Sequence, residues 1–411
     1  MKPTSTLLCA ASLLAFSAPA AFSLGFRIAD QNAEATARGN AFAATADNPS
    51  AIWYNPAGIT QLEGTRVLLG SYATTLRDRV DPEAPGALAF SNANRELQFV
   101  PNFFLTTKPG AWPLTFGLGI YAPYGLGLEY PDDTPFRTIA RKGHILYLAI
   151  NPVLAWKITD TLSVAAGPSF NYGDATLEQG VVVPGDTFKF RGQGWSYSFG
   201  AGILWKPHRM VQFGITYHSA STMDFEGDTT LDIPSFTVPT PFGPFPGPAV
   251  KRRETASAEF HIPQNVVFGV SFRPTEDWNF EFNADWTDWN EFNTVTLKQQ
   301  TSANIQLPFN WQSSWFWEFG VTKKFTHGWQ ASIGYIWSEN SVPETNFTPI
   351  IPDSHRHVLS AGFGQKLKNW NWNLAYQWAY GPTRTINNGS LADGTYRAQG
   401  NALNFTLGYD F

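Results

Sequence analysis

The residues that could carry out catalysis or bind a metal are few and poorly spaced in this chain. Seven histidines are scattered at positions 144, 208, 218, 261, 327, 355 and 357. Nucleophilic catalysis needs a Ser, a His base and a third orienting group held together, and the scattered histidines do not indicate such a set. His355 and His357 share a strand face, but two ligands without a third do not complete a zinc site. We therefore expect no catalytic residues, no metal and no cofactor.

Glu281 and Asp285 could be mistaken for a paired-carboxylate site. Both lie on the polar face of an alternating segment, where Trp278, Phe280 and Phe282 form the other face. Because successive strand side chains point to opposite faces, a strand with one polar face explains the two carboxylates more simply than catalysis.

The single cysteine, Cys9, lies in a segment typical of a secretory signal peptide. Lys2 supplies the positive charge, an apolar run follows from Leu7 to Phe16, and small residues precede residue 24. We assign residues 1–23 to this signal. The remaining chain has no cysteine, which excludes disulfides and thiol catalysis. The apolar run is also shorter than the roughly 20 residues that a membrane-spanning helix needs.

Apolar and polar residues alternate along most of the chain after residue 65. The clearest examples lie at 211–218, 278–286 and 370–380, and their apolar faces are rich in Trp, Tyr and Phe. Charged residues make up only 15% of the sequence, and the net charge is −5. Few charges and interfacial aromatic residues are typical of membrane strands, while the negative charge argues against nucleic-acid binding.

The connections between these segments alternate between two lengths. Six are short and polar, at 108–112, 156–160, 205–209, 273–278, 323–329 and 366–370, and seven longer ones lie between them. Merging the two halves of 252–273 across Pro263 gives fourteen strands, an even number, as in bacterial outer-membrane barrels. We therefore predict an all-β fold, a 14-stranded antiparallel transmembrane β-barrel over residues 66–411. Its last strand should place Leu403, Phe405 and Leu407 toward lipid and pair with the first near residues 66–76.

Residues 24–65 do not alternate and are rich in Ala, Gly and Asn. Small residues suit close packing against other backbone, and Phe26, Phe42 and Trp53 would leave apolar surface in water if the segment were extended. We expect a plug inside the barrel, a hatch over residues 24–65. A loose periplasmic extension is the alternative.

Several of these stretches resemble the FadL-type family of outer-membrane transporters (OmpP1/FadL/TodX-like). The resemblance begins with Gly25-Phe26 and is strongest at Asn55-Pro56-Ala57, which match the family's hatch motif. Further stretches that resemble the family are spread over essentially the whole chain after the signal peptide. The family carries long-chain fatty acids and, in some branches, aromatic hydrocarbons. The resemblance implies a cell outer membrane location and uptake of a hydrophobic small molecule.

The resemblance also implies a mechanism. Apolar external loops capture the substrate, a pocket in the lumen binds it, the N-terminal segment shifts, and the substrate leaves sideways where the third strand is kinked. Pro123-Tyr124-Gly125 occupy the kink position, and Pro and Gly suit a broken strand pairing. An ordinary strand end is the alternative.

The fourth long loop is uncharged and rich in proline between Ile233 and Val250, and it carries Phe236, Phe242 and Phe245. An apolar loop facing water is costly unless it binds something apolar, so we expect a capture loop. A lid packed over neighbouring loops is the alternative.

Two family positions that contact a fatty-acid carboxylate are not matched. Gln179 stands where the family has an Arg, and no Lys is found near residues 307–310. A carboxylate entering an apolar pocket needs a cationic or hydrogen-bonding partner. Five cationic residues could substitute: Arg137, Arg141, Lys142, Arg191 and Lys298.

Long-chain fatty acids are nevertheless our first prediction on the family resemblance, and neutral or aromatic hydrocarbons are the alternative. An outer-membrane lipid enzyme and a general porin are more remote alternatives. The expected partners are the hydrophobic substrate, outer-membrane lipid and, because the chain ends in the aromatic Phe411, the barrel assembly machinery.

Overall fold

The computed structural model describes residues 25–93, 97–240 and 243–411. The predicted signal peptide at 1–23 and Phe242 of the predicted capture loop lie outside these residues. Among the residues described, no helix is long and apolar enough to cross a membrane.

Alternating side chains form fourteen antiparallel strands in the described part of the chain, which confirms the predicted number. Each strand pairs with its neighbours in sequence. The strands are β1 (Gly64–Pro82), β2 (Gln98–Lys108), β3 (Leu114–Glu129), β4 (Lys142–Lys157), β5 (Leu162–Gln179), β6 (Thr187–His208), β7 (Val211–His218 and Ser221–Ile233), β8 (Val250–Ile262 and Asn265–Phe272), β9 (Trp278–Thr287 and Thr294–Gln299), β10 (Ile305–Pro308 and Ser314–Lys324), β11 (Trp329–Ser338), β12 (Arg356–Leu367), β13 (Trp370–Tyr380 and Arg384–Ile386) and β14 (Gly394–Asp410).

The barrel closes between its first and last strands. β1 pairs with β14 in an unbroken register from Arg66 opposite Asp410 to Pro82 opposite Gly394. Closure leaves no open sheet edge, so the backbone groups of both strands are hydrogen-bonded within the protein, as lipid requires. The predicted pairing of the last strand with residues 66–76 is confirmed and extends further.

Five strands are built from two segments. In β8, the break falls at Pro263 and Gln264, where proline cannot donate a ladder hydrogen bond. Both segments pair with β7, so they form one barrel strand, as predicted. The break in β7 falls at Ser219 and Ala220, directly opposite the break in β8.

The two faces of each strand differ as the alternation predicts. On β14, Leu403, Phe405 and Leu407 are exposed on the outside, whereas Asn404 and Thr406 are fully buried on the inside. Exposed apolar residues on a closed barrel form the surface that meets lipid, and the inward residues form a polar lumen.

The remaining elements are short. The N-terminal segment contains helices α1 (Ala33–Ala37) and α2 (Ala51–Tyr54) and a 3₁₀ helix (Pro56–Gln61). Asn32 caps α1, since its side chain accepts hydrogen bonds from the backbone N–H groups of Glu34 and Ala35. Outside the barrel wall, Phe236–Thr240 and Gly243–Gly247 pair as a separate hairpin, and Phe90–Ser91 pairs with β1. Further 3₁₀ turns lie at Trp289–Glu291, Thr326–Gly328 and Glu344–Asn346.

Candidate functional site

The N-terminal segment, residues 25–62, contacts inward-facing side chains of the barrel and is buried along almost its whole length. Asn404 of β14 donates to the Thr36 hydroxyl at 2.9 Å, and Gln377 of β13 donates to Asp30 at 2.9 Å. This is the position that a plug would occupy. The action of residues 24–65 as a hatch remains a prediction.

Two ion pairs tie this segment to β9. Arg27 contacts Asp285 at 2.7 Å, and Arg38 contacts Glu281 at 3.2 Å, with each side chain at most 4% exposed. Glu281 also accepts from the Ala44 backbone N–H at 2.7 Å. Buried charges are tolerated when they are paired and hydrogen-bonded, so removing one partner leaves the other uncompensated. The two carboxylates that alternation placed on a polar face are therefore the acceptors for the segment's arginines, which the sequence did not reveal.

The predicted hatch motif, Asn55-Pro56-Ala57, lies near the C-terminal end of the segment. Asn55 donates to the carbonyls of Ala43 at 2.7 Å and Ile203 at 3.0 Å, and its side-chain oxygen accepts from the Ala57 N–H. Pro56 occupies the first turn of the 3₁₀ helix, where its missing N–H costs nothing. The motif therefore caps a turn and also bonds to the barrel strand β6.

Gly25 and Phe26 lie against an aromatic cage formed by Trp289, Phe292 and Trp311. The Phe26 ring is 5.0 Å from Trp289, 5.4 Å from Phe292 and 5.8 Å from Trp311, between centroids. Gly25 has φ +60°, and a Cβ there would lie 2.2 Å from the Trp311 ring, so only glycine fits. The cage residues were not predicted as a site. The sequence feature that could have indicated them is the group of aromatic residues at the points where β9 and β10 are each interrupted.

The third strand separates from the second at the predicted kink. β2 and β3 pair only from Phe103–Ile120 to Thr107–Phe116, and the pairing of β3 with β4 shifts register between Tyr121 and Tyr124. The structure therefore places Pro123, Tyr124 and Gly125 beyond the last β2–β3 pair. That they form a lateral opening is a prediction.

The N-terminal segment supplies hydrogen bonds to this part of β3. The Ile28 N–H donates to the Pro123 carbonyl at 2.7 Å, and the Gly125 N–H donates to the Phe26 carbonyl at 2.8 Å. Gln31 donates to the Ala122 carbonyl at 2.9 Å. Groups that lose their partners in β2 are thus satisfied by residues 26–31, as buried backbone requires.

An apolar cavity, the upper pocket, lies between the aromatic cage and the long loops. It encloses about 640 Å³, part of it open to solvent. Phe309 contributes to its wall and packs 4.6 Å from Phe292 of the cage, so pocket and cage are continuous. Gln179 and Leu307, from the two unmatched family positions, both line it. Other lining residues are Ile139, Leu177, Phe188 and Leu297.

Lys142 is the one cationic side chain among the described residues that line the upper pocket. It contacts Glu129 at 2.9 Å and is 40% exposed. Of the other four proposed cations, Arg141 contacts Glu178 at 3.1 Å, Arg191 contacts Asp174 and Lys298 contacts Glu259 on the outer face. The polar side chains of the pocket are therefore Gln179 and Thr348, with Glu178 and Lys142, which are each paired with another charged residue.

A loop cluster beside the pocket is fixed by Arg137, which contacts Asp186 at 2.8 Å and Asp132 at 3.1 Å. Burial opposes the charge of Asp186, but the backbone N–H groups of residues 181–183 and Arg137 outweigh it and lower the pKa of Asp186 to about 2. The same loop contributes Ile139 to the pocket wall. The cluster therefore holds part of the pocket roof.

The predicted capture residues lie apart from the pocket lining. Phe236 and Phe245 belong to the hairpin outside the wall, and Phe245 is 66% exposed. Phe242 lies outside the described residues. His355 and His357 lie with Asn340 and Tyr335, and no group of three or more metal-ligating side chains occurs in the described residues.

Comparison with known proteins agrees with this geometry. The family described as outer membrane protein transport protein (OMPP1/FadL/TodX) matches residues 13–411. The long-chain fatty acid transport proteins of Salmonella typhi and Escherichia coli K12 are 21% and 20% identical. The alignment covers 95% of this chain with each, and 94% and 95% of those proteins.

Two solved structures share the fold. A Pseudomonas aeruginosa FadL homologue has a TM-score of 0.80 at 19% identity, covering 94% of this chain and all of that one. The Pseudomonas putida toluene transporter TodX has a TM-score of 0.73 at 16% identity, covering 94% and 99%.

Proposed function

Because this chain belongs to the outer membrane protein transport family (OMPP1/FadL/TodX), we propose that it takes up hydrophobic small molecules, with long-chain fatty acids as the first candidate. The observation that supports this most is the upper pocket, an apolar cavity inside a closed barrel. Apolar pockets with a few polar groups are the usual form of small-molecule sites. The fatty-acid candidate rests on the relatives named as long-chain fatty acid transport proteins.

In this proposal the substrate passes from the exposed hairpin to the upper pocket and then to the aromatic cage. Phe26 fills the cage, so a substrate can advance only if the first residues of the segment move. Two backbone hydrogen bonds join residues 26 and 28 to β3. Each contributes only about 0.5–1.5 kcal/mol net, which a bound ligand can offset. Departure of Phe26 would then uncover the interrupted pairing at Pro123–Gly125.

A second candidate substrate, a neutral or aromatic hydrocarbon, is favoured by one observation. Gln179 and Leu307 line the pocket at positions where the resemblance leads one to expect cations, and Lys142 is paired with Glu129. A carboxylate would have to compete with Glu129 for the lysine, whereas a neutral molecule needs no charged partner.

Binding of oleate and methyl oleate to the purified protein separates the candidates. A charge-assisted hydrogen bond contributes about 1.5–3 kcal/mol, so recognition of the carboxylate predicts roughly tenfold or more tighter binding of oleate. Lys142→Met should remove this preference, while the control Lys298→Met, on the outer face, should leave it. Equal binding of acid and ester supports the neutral candidate, and binding of neither contradicts the proposed function.

The more remote alternatives have their own tests. Hydrolysis of a lipid ester by the purified protein would indicate an enzyme. High ion conductance in planar bilayers, unchanged when residues 24–60 are deleted, would indicate a general porin. The exposed Phe411 at the end of β14 supports recognition by the barrel assembly machinery, and deletion of Phe411 should then lower the amount of folded protein in the membrane.

A further inference from the structure

Another interruption of the barrel wall lies between β6 and β7, where β6 is three strands along the sheet from the kinked β3. Pairing of these strands runs up to Gly200 opposite His218 and resumes only at Gln193 opposite Glu226. Residues 194–199 and 219–225 form what we call the seam. On its other side β6 is continuously paired with β5. β7 pairs with β8 on both sides of the break at Ser219 and Ala220, which faces the break in β8.

The register changes by one residue across the seam, which alone would make an ordinary β-bulge. A bulge normally leaves one residue unpaired, but no ladder pair joins 194–199 to 219–225 within this fully described stretch. Ser219 bonds to the opposite strand at one end of the seam, since its N–H donates to the Phe199 carbonyl at 2.9 Å and its hydroxyl accepts from the Phe199 N–H at 3.0 Å. At the other end, the Gly194 backbone lies close to the Asp224 carbonyl.

Side chains on the outer face of the seam make contacts on both sides of it, and Phe199 reaches across to Tyr217 of β7, with ring centroids 5.6 Å apart. Trp195 and Tyr197 make ring contacts with Tyr172 and Phe170 of β5, at 5.3 and 5.9 Å. On the other side, Thr222 bonds to His261 of β8 at 3.1 Å. Tyr197 is 71% exposed. Trp195 and Tyr197 therefore cover β5 and β6, and Phe199 covers the junction of β6 with β7 at one end of the seam.

Behind the seam lies a second cavity, the lateral cavity, of about 390 Å³. Ser198 and Ser219 line it from the seam, and Tyr121, Pro123 and Tyr124 line it from the kinked part of β3. Its walls mix aromatic groups with the polar side chains of Asn151 and Asn171. The lateral cavity thus runs along the inner side of the wall, from the kinked β3 to the seam.

Two further interruptions border the same cavity. The pairing of β4 with β5 skips from Ile150–Phe170 to Leu154–Ala166, and β8 breaks at Pro263, whose carbonyl accepts from the Tyr124 hydroxyl at 3.2 Å. Irregular backbone at membrane depth is tolerated only where protein buries it or a water-filled cavity lies beside it. Their convergence indicates a polar cavity that reaches the wall.

The seam lies near one border of the apolar band. Trp195 and Trp205 are both exposed on β6 and ten positions apart, which is roughly 33 Å along a strand and about 25 Å across a membrane after strand tilt. Trp205 lies at a short-turn end, so Trp195 marks the border on the side of the long loops. A molecule passing the seam would enter the leaflet on that side.

We propose that the seam between β6 and β7 is a second lateral portal, through which a hydrophobic small molecule passes between the lateral cavity and the outer leaflet. This inference rests on the proposed function and adds a route separate from the β3 kink. At the kink, residues 26–31 supply the missing hydrogen bonds, whereas at the seam Ser219 of β7 bonds directly to Phe199 of β6. The seam can therefore open without displacement of the N-terminal segment.

A reversible cross-link tests the portal. Tyr197→Cys with Thr222→Cys spans the seam, and a bifunctional methanethiosulfonate joins the two thiols in a chain whose one natural cysteine, Cys9, lies in the predicted signal. The control, Phe170→Cys with Tyr197→Cys, links paired residues on the other side of the same strand. Uptake of oleate and methyl oleate into cells should fall roughly fivefold only with the first link and recover on reduction. Unchanged uptake in the seam-linked protein would overturn the portal.

A labelling experiment distinguishes failure of the portal from failure of the proposed uptake function. Ser198→Cys lines the lateral cavity and Thr348→Cys lines the upper pocket, and both positions are half-buried. For each variant in liposomes, we compare two rates of cysteine labelling: the rate with N-dodecylmaleimide is divided by the rate with a water-soluble maleimide. The portal predicts a ratio roughly tenfold higher at position 198, because the reagent partitions into lipid. Equal ratios overturn the portal, whereas absence of uptake in the unlinked protein overturns only the proposed function.

Discussion

The lumen contains two regions that are stabilised in opposite ways. Around the N-terminal segment, buried arginines and carboxylates, backbone hydrogen bonds and close glycine contacts leave little free space. The upper pocket is an open, apolar cavity whose charged groups lie at its margin and are partly exposed. The first region depends on specific pairing and loses much from one substitution, while the second depends on shape and hydrophobic area and tolerates change better.

The largest effect is expected from Glu281→Gln, which leaves Arg38 buried without its partner. Breaking a buried ion pair costs about 3–5 kcal/mol, so residues 25–62 should detach from β9 while the barrel stays closed. Hydrogen exchange of these residues in the membrane-embedded protein measures the loss.

Glu259→Gln is the matched control, because Glu259 contacts Lys298 on the exposed outer face. Exposed pairs contribute little, and no change in exchange is expected. Similar exchange in the two variants would contradict the contrast between interior and surface pairs.

A smaller effect is expected from Gly214→Ala. A Cβ at this position would lie 2.0 Å from the Ala43 carbonyl oxygen, in the N-terminal segment. Overpacking of this kind costs about 1–3 kcal/mol and should raise exchange around residue 43. In the control Gly200→Ala, the atom nearest to the new Cβ would lie 3.5 Å away, so hydrogen exchange should not rise. Equal exchange in the two variants would contradict the prediction.

The upper pocket should respond with a change in specificity rather than stability. Gln179→Arg places a cation in the pocket and should strengthen binding of oleate relative to methyl oleate by roughly tenfold. Titration of both ligands measures the ratio, and Gln193→Arg, on the outer face of β6, is the control. An unchanged ratio for Gln179→Arg would mean that the carboxylate does not reach this pocket.

The smallest effect is expected from acid at the loop cluster. The pKa of Asp186 is about 2, below its ordinary value, so its stabilisation is complete above the ordinary value and is lost as the pH falls through about 2. Exchange at the amides of residues 181–183 should stay slow at pH 4 and quicken only near pH 2. Asp186→Asn should abolish this pH dependence, and quickening already at pH 4 would contradict it.

The barrel could be predicted from the sequence because alternation recurs over fourteen segments and six short turns alternate with seven longer loops, so each repeat supports the others. Pro263 could be assigned to a single strand for the same reason. The contacts inside the lumen could not be predicted from the sequence in the same detail. Glu281 and Asp285 looked like ordinary polar lumen residues, since their partners Arg27 and Arg38 are more than 240 positions away in the chain.

The seam and the aromatic cage escaped prediction for a related reason. An interruption in pairing depends on the register between two strands, which the sequence of either strand alone does not contain. The cage residues Trp289 and Trp311 lie in breaks of β9 and β10, where alternation stops and the strand pattern gives no direction for the side chain.

The ties between the N-terminal segment and the last strands have a consequence for the order of folding. Arg27 and Asp285 are 258 positions apart, and Thr36 and Asn404 are 368 apart. Contacts between such distant positions form slowly, because the whole intervening chain must first be arranged. The docking surface for residues made early in synthesis is therefore incomplete until β9 to β14 exist. The earliest part of the folded chain is among the last to reach its native position.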